Sequence, residues 1–267
     1  MDAEGTGRGR FEGRIALVTG AGSGIGAAVA RGLDAEGAKA VVLADIDGPA
    51  AASVAKEVTS GHAVALDVAD AGQVDAAVDE VVRAHGRLDV VVHAAGVDDP
   101  VAKRWLAEAL VADRPPEVTA RLGDGAWQRV LRINLDGTFH VLRAALRAMM
   151  PNRSGSVVTV SSSAAFDALV GYPHYAASKA GAQALSQSVA KEAIAFGVRV
   201  NTVAPGPTET AMTAKNPEVM RKGFTDPRVR PFATPEEIAA IALFLASDEA
   251  ANLVGAVLLA NGGRFTA

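Results

Sequence analysis

The chain has 267 residues, no cysteine, 49% hydrophobic residues and a formal net charge of −4. The lack of dense basic clusters argues against nucleic acid as a partner, and the lack of cysteine excludes a disulfide framework and a thiolate metal site. The longest apolar run, residues 238–246, has nine residues, far fewer than the roughly 18 that a membrane span needs. We therefore expect a cytoplasmic protein with no membrane partner.

The first 13 residues are polar and glycine-rich and lack the apolar core of a signal peptide. They predict a flexible N-terminal tail, residues 1–13, followed by one domain over residues 14–267. No internal repeat or low-complexity linker divides that domain. A single open α/β sheet commonly reaches this length.

Apolar runs typical of buried strands alternate with helical patterns along the domain, and several helical stretches end at a glycine such as Gly37, Gly86 or Gly197. This alternation predicts right-handed crossovers and a parallel sheet covered on both faces. The expected fold is therefore a doubly wound, Rossmann-type α/β domain in three layers, with ligands at the carboxyl ends of the strands. The predicted strands are residues 15–19, 40–44, 62–66, 90–94, 156–161, 199–204 and 256–259.

The first predicted strand leads into a glycine-rich turn, and residues 27–33 then follow a helical pattern. The turn carries Gly20, Gly22, Gly24 and Gly26. Glycines allow the backbone to turn tightly and to approach a pyrophosphate closely, and a helix N-terminus offers free N–H groups to it. The alternative is an ordinary tight turn. The position between a buried strand and a helix favours a dinucleotide site.

Asp45 ends the second predicted strand, nineteen residues beyond Gly26. A carboxylate there accepts hydrogen bonds from the ribose hydroxyls of adenosine and repels a 2′-phosphate. The adjacent positions Ser23 and Ile46 supply no positive charge for such a phosphate, so the sequence favours NAD over NADP. The alternative for Asp45 is a cap of the following turn. Asp67 and Val68 end the third strand, where an adenine would lie against them, although a plain strand-end aspartate has the same spacing.

Two chemically competent side chains, Tyr175 and Lys179, are four residues apart at the start of a helical pattern and so share one face. Ser162 follows the predicted strand at 156–161, and no G-x-S-x-G elbow surrounds it, which argues against a hydrolase nucleophile. Such a tyrosine–lysine pair is commonplace on amphipathic helices. Beside a nucleotide turn, however, it fits proton transfer, because a nearby ammonium and a positive nicotinamide lower the pKa of a phenol.

Taken together, these motifs resemble those of the short-chain dehydrogenase/reductase family, and the 3-oxoacyl-reductase-like branch looks closest. The match extends from Arg14 to about Gly263. The segments that carry it are TGAGSGIG at 19–26, Asp67-Val68, HAAG at 93–96, RINLDGTF around Asn134, Ser162, YAASK at 175–179, RVNTVAPG at 199–206 and TPEEIA at 234–239.

The resemblance implies that Tyr175 is the acid/base, that Lys179 holds the nicotinamide ribose, and that Ser162 orients the substrate oxygen. It further implies that Asn134 supports a water in a proton relay and that Thr210 lies near the carboxamide. No metal is expected, since the five histidines show no ligand spacing. The expected cofactor-binding residues are Gly20, Ser23, Gly24, Ile25, Gly26, Asp45, Ile46, Asp67, Val68, Ala94, Ala95, Gly96, Tyr175, Lys179, Pro205, Gly206, Thr208 and Thr210.

These residues indicate an NAD-dependent enzyme that interconverts a small secondary alcohol and a ketone, with a mostly apolar and uncharged substrate. One alternative is a catalytically silent NAD-binding sensor or scaffold, and another is an NADPH-dependent 3-oxoacyl-type reductase. By the same resemblance, the long helical patterns at 127–150 and 175–196 pair between subunits. A homotetramer with two-fold axes is therefore expected.

Two of the departures from the family pattern bear on function. His93 and Ala94 stand where the family usually has two asparagines; His93 is either a core histidine, a ligand or a proton carrier, and His174 is a candidate for substrate contact. Residues 97–125, called the insert below, are about fifteen residues longer than the family pattern. Their apolar spacing predicts an amphipathic helix over 101–112 centred on Trp105, whose apolar face consists of Val101, Trp105, Leu106, Ala109 and Leu110. The insert is either surface decoration, a subunit contact or a cap that closes over substrate with residues 207–232.

Overall fold

The computed structural model describes residues 9–222, 230 and 232–267. In this part of the chain seven strands form one parallel sheet in the order β3-β2-β1-β4-β5-β6-β7, which confirms the doubly wound α/β fold. The order reverses between β1 and β4, and this switch point opens a crevice at their carboxyl ends. The strands are β1 Ile15–Thr19, β2 Ala40–Asp45, β3 Gly61–Ala65, β4 Val90–His93, β5 Gly155–Val160, β6 Val198–Pro205 and β7 Val257–Ala260.

Helices cover both faces of the sheet and also form the insert. A π-helical turn, Arg132–Asp136, joins α6 to α7 within the stretch that the sequence predicts as one helix. Among the described residues, no helix is both long and apolar enough to cross a membrane. The α-helices are α1 Gly24–Ala35, α2 Gly48–Ala55, α3 Ala71–His85, α4 Pro100–Val111, α5 Val118–Arg121, α6 Asp124–Leu131, α7 Gly137–Met149, α8 Ala164–Asp167, α9 Pro173–Ala193, α10 Ala211–Ala214, α11 Glu218–Lys222 and α12 Pro235–Ala246.

The two faces of the sheet belong to two separate cores. Alternate residues of β1 divide between them: Ala16 and Val18 pack under α1 and α12, whereas Ile15 and Leu17 pack under α3, α7 and α9. All five residues of β1 are buried. A strand that is buried on both faces needs an unbroken apolar run, which explains why the strand pattern is so clear in the sequence.

The sequence predicts that the domain begins at Arg14, but the ordered domain begins earlier. Residues 1–8 are outside the described part of the chain, but residues 9–13 pack on the domain. Phe11 is 1% exposed, and Arg10 Nε lies 2.5 Å from Glu36 Oε2. The expected tail is therefore at least five residues shorter than predicted, because one aromatic side chain anchors it to the core.

The insert forms α4 and α5, close to the predicted helix, but with a different buried face. Val101 and Leu110 are 38% and 49% exposed, although the apolar pattern predicts them to be inside. Leu106 and Ala109 of the predicted face are buried, and Ala102 and Lys103 are buried beside them. The buried face of α4 can include Lys103 because the methylenes of this side chain behave as apolar surface while its ammonium finds polar partners.

Candidate active site

A cleft of about 350 Å³ opens at the carboxyl ends of the strands, above the switch point between β1 and β4. It brings together every predicted cofactor-binding residue, together with Ser162. Asn134 does not line it. Further residues line the cleft beyond the predicted catalytic and cofactor-binding residues, and they are mostly apolar neighbours of the motifs. These are Leu66, Val97, Ile133, Val160, Ser161, Ala211, Met212 and Thr213.

The glycine-rich turn between β1 and α1 brings backbone very close to backbone. Gly20 has a φ of +67°, and a Cβ there would lie 2.7 Å from the nitrogen of Ala95. A Cβ on Gly26 would lie 2.2 Å from the carbonyl oxygen of Gly20. Side chains are thus excluded where α1 begins, and the residues of its first turn line the cleft. This cradle fits the pyrophosphate of a dinucleotide.

The Asp45 carboxylate is fixed at the rim of the cleft by two backbone amides. Its Oδ2 accepts a hydrogen bond from Gly22 N at 2.9 Å, and its Oδ1 accepts one from Asp47 N at 2.9 Å. Asp45 therefore caps the following turn and also faces the nucleotide turn, so the two alternatives from sequence are not exclusive. Asp47 separately caps α2 through Ala50 N.

Tyr175 and Lys179 lie on the first turns of α9, beside the end of β5. Lys179 is 6% exposed, and its Nζ donates to the carbonyl oxygen of Val160 at 2.9 Å. Its Nζ lies 6.0 Å from the centre of the Tyr175 ring. Burial lowers the pKa of Lys179 to about 8. The ammonium has two further hydrogens with which to hold a ribose.

The protein's own residues raise the pKa of Tyr175. Burial is the main cause, the Asp98 carboxylate adds to it, and the hydrogen bond with Ser162 acts in the opposite direction. Desolvation of the phenolate therefore outweighs the Ser162 hydrogen bond.

Asn134 sits in the π-helical turn and holds the loop after β4. Its Oδ1 accepts from Val97 N at 2.8 Å, and its Nδ2 donates to Val97 O at 2.9 Å. The same Nδ2 donates to Ser178 Oγ at 3.0 Å, and that hydroxyl donates to the carbonyl oxygen of Tyr175. Asn134 therefore couples the cleft wall at Val97 to the backbone of α9.

Neither of the unusual histidines lies in the cleft. His93 Nδ1 is 2.7 Å from Thr19 Oγ1, and burial together with the Lys179 charge lowers the pKa of His93 to about 3. A group that stays neutral at working pH fits the core role better than proton transfer. His174 is fully buried, and its Nε2 is 3.2 Å from Asp99 Oδ2. Because Asp99 caps α4 through Val101 N, His174 fastens the insert to α9.

The insert packs against Tyr172, next to Tyr175, through a small third core. Leu106 occupies the space that a Cβ on Gly171 would need, at 2.9 Å. The ring of Tyr172 lies 6.3 Å from that of Tyr175, and Arg121 stacks on Trp105 at 4.4 Å. The apolar members of this cluster are Ala102, Trp105, Leu106, Ala107, Val118, Tyr172, Val219 and Met220.

Residues 207–222, called the lid segment below, close the opposite wall. Thr210 Cγ2 lies 3.1 Å from the position of a Cβ on Gly24, so the segment touches the glycine-rich turn. Thr210 and Thr213 cap α10 reciprocally. The remainder of the predicted lid, at 223–229 and 231 with Phe224, lies outside the described residues. Among the described residues no group of three or more histidine or acidic side chains has a geometry for a metal ion.

Comparison with known proteins agrees with this geometry. A family model for short chain dehydrogenases matches residues 14–220. The 3-oxoacyl-(acyl-carrier-protein) reductase FabG of Thermotoga maritima is 37% identical over 259 residues, covering 95% of this chain and 98% of that protein. D-threitol dehydrogenase of Mycolicibacterium smegmatis is 37% identical over 263 residues, with 95% and 94% covered. A solved structure described as ribose-5-phosphate isomerase from Brucella melitensis 16M has a TM-score of 0.80 at 34% identity, with 95% and 92% covered.

Proposed function

Because the chain belongs to the short-chain dehydrogenase/reductase family, and is an oxidoreductase of that family, we propose that it interconverts a secondary alcohol and a ketone with NAD(H). The observation that carries the proposal is one cleft that contains the glycine-rich turn, Asp45, Ser162, Tyr175 and Lys179. A silent sensor or scaffold would have no chemical need for the last three residues beside a nucleotide cradle.

A bound nicotinamide dinucleotide supplies the hydride chemistry of this reaction class. The protein has to orient one oxygen and move one proton. Tyr175 gives its phenolic proton to the ketone oxygen during reduction and takes the alcohol proton during oxidation. The Ser162 hydroxyl bonds Tyr175 and orients the same substrate oxygen. Lys179 uses one hydrogen on Val160 O and holds the nicotinamide ribose with the others.

The preference for NAD(H) rests on the fixed Asp45 carboxylate. Its two backbone bonds, to Gly22 N and Asp47 N, prevent it from turning away from the adenosine ribose. A carboxylate held there accepts from ribose hydroxyls and repels a 2′-phosphate. The neighbouring Ile46 is 73% exposed and carries no charge to offset that repulsion.

Steady-state kinetics with both cofactors test the function and separate it from the NADPH-dependent alternative. We expect kcat/KM to be at least tenfold higher with NAD(H) than with NADP(H). The substrate panel should contain sugar alcohols and 3-oxoacyl thioesters, since relatives named for both chemistries match this chain. Equal kcat/KM values for the two cofactors would contradict the role of Asp45. NADH binding without turnover of any panel member would favour the sensor.

The same proposal includes a cap and a homotetramer. The third core supports a cap, since it joins the insert to Tyr172 beside the cleft and to Met220 of the lid segment. Trp127 on α6 and Phe139 on α7 are 38% and 46% exposed, as expected of helices that pair between subunits. Light scattering at micromolar concentration tests the assembly, and a monomer would contradict it.

A further inference from the structure

Lys103 is a buried cation on the inner face of α4, where an apolar residue would pack well. Its side chain is 7% exposed and forms an ion pair with Asp98, whose side chain is 16% exposed. Withdrawing an ammonium from water is costly unless its hydrogens find partners. Polar groups from two different walls of the cleft contact the Lys103 ammonium and offset this cost.

One wall is the loop after β4, and the other is the lid segment. Asp98 directly follows Val97, which lines the cleft. On the opposite side, Lys103 Nζ lies 2.5 Å from Asn216 Oδ1 and 3.4 Å from the carbonyl oxygen of Met212. Met212 lines the cleft as well. The Lys103 ammonium therefore joins the loop after β4 to the lid segment, and each of these two segments contributes residues to the cleft lining.

We propose that Lys103 is a positioning residue that clasps the lid segment onto the loop after β4, and that breaking its bond to Asn216 is a required step of cofactor release. Apolar contacts such as those of Met220 tolerate sliding, whereas a directed bond to an ammonium is either made or lost. The clasp thus gives the insert control over the lid segment. This inference rests on the proposed binding of NAD(H) in the cleft.

The lid side of the clasp can be altered without touching the Asp98–Lys103 ion pair. Asn216→Leu removes the acceptor and should speed release of NADH roughly tenfold or more, as expected for loss of a hydrogen bond to a charged group. Asn216→Asp replaces it with a carboxylate, whose bond to an ammonium is stronger, and should slow release. Lys103→Met should behave like Asn216→Leu. Arg104→Met, an exposed cation on the same helix, is the matched control and should leave release unchanged.

Release is measured by mixing the preformed NADH complex with excess NAD in a stopped-flow fluorimeter. Opposite effects of the leucine and aspartate variants support the clasp, because loss of packing alone would accelerate release in both. Equal release from wild type and Asn216→Leu, or faster release from Asn216→Asp, would overturn it. If Lys103→Met does not fold, the release rates of Asn216→Leu and Asn216→Asp still support or overturn the clasp.

Hydrogen exchange separates the clasp from the proposed cofactor role. In protein without cofactor, the amides of residues 211–222 should exchange faster in Asn216→Leu than in wild type, with the β1 and β5 amides unchanged. Unaltered exchange across residues 211–222 would overturn the clasp. Failure of the wild type to bind NADH would refute the proposed function, while the exchange result would still decide the clasp.

Discussion

Gly26→Ala tests the glycine-rich turn through a contact that can be worked out in advance. The added Cβ would lie 2.2 Å from Gly20 O and 3.1 Å from Ala21 Cα, whereas an ordinary carbon–oxygen contact is about 3.3 Å. The start of α1 must therefore move away from the turn by about 1 Å. Overpacking of this kind costs about 1–3 kcal/mol, against a gain of about 1 kcal/mol in helix propensity from replacing glycine.

The net expectation for Gly26→Ala is a loss of up to about 2 kcal/mol of unfolding free energy, and a Tm lower by up to roughly 8 °C. Displacing the amides of α1 should also weaken NADH binding roughly ten- to a hundredfold, the effect of losing one hydrogen bond to a charged group. Fluorescence titration with NADH measures the affinity, and thermal unfolding measures Tm.

Gly125→Ala is the matched control for this experiment. Gly125 also lies in the first turn of a helix, α6, but a Cβ there meets no atom within 4 Å. This variant should keep its NADH affinity and be slightly more stable, because only the propensity gain remains. The reasoning is refuted if Gly26→Ala behaves like Gly125→Ala, with unchanged affinity and a raised Tm.

Three other predictions follow from the site. Tyr175→Phe should lower kcat by about 10²–10⁴-fold, the contribution of general acid–base catalysis, while NADH still binds; near-normal turnover would remove Tyr175 from its role. Because burial holds the pKa of Lys179 at about 8, its ammonium is lost as pH rises through that value, so NADH affinity should fall above pH 8; Lys179→Met should lack this pH step. Deleting residues 99–121 should alter KM and substrate range with assembly intact, whereas unchanged kinetics with a broken oligomer would identify the insert as a subunit contact.

The central strands are predictable from sequence because each is buried on both faces. β1 matches its predicted bounds, and β6 runs one residue beyond its prediction at each end. The cleft is predictable for a related reason: parallel strands deliver their carboxyl ends to one edge, so motifs that follow strands converge there. The glycine-rich turn, Asp45 and Ser162 meet in space although they are far apart in the chain.

Features that depend on the surroundings of a single residue in the folded protein cannot be predicted from the spacing of apolar and polar residues in the sequence. The π-helical turn at Asn134 adds one residue to a helical turn and leaves the apolar spacing on both sides helical, so one continuous helix is predicted. The pKa of Tyr175 depends on how deeply the phenol is withdrawn from water, which spacing does not encode. The burial of Lys103 depends on Asn216, an amide that is 113 residues away.

In the insert, the contacts of one buried lysine, Lys103, decide which face of α4 is turned inward. The sequence places Val101 and Leu110 inside, yet both are exposed, together with Val111 at 75%. The inner face of α4 is used by the third core and the Lys103 clasp, so the outer apolar face remains available to another subunit. The cap and the subunit contact therefore concern opposite faces of one helix. Asn216→Leu alters only the inner-face contact of α4, whereas deletion of the whole insert removes both faces at once, so the two variants together show which face an effect comes from.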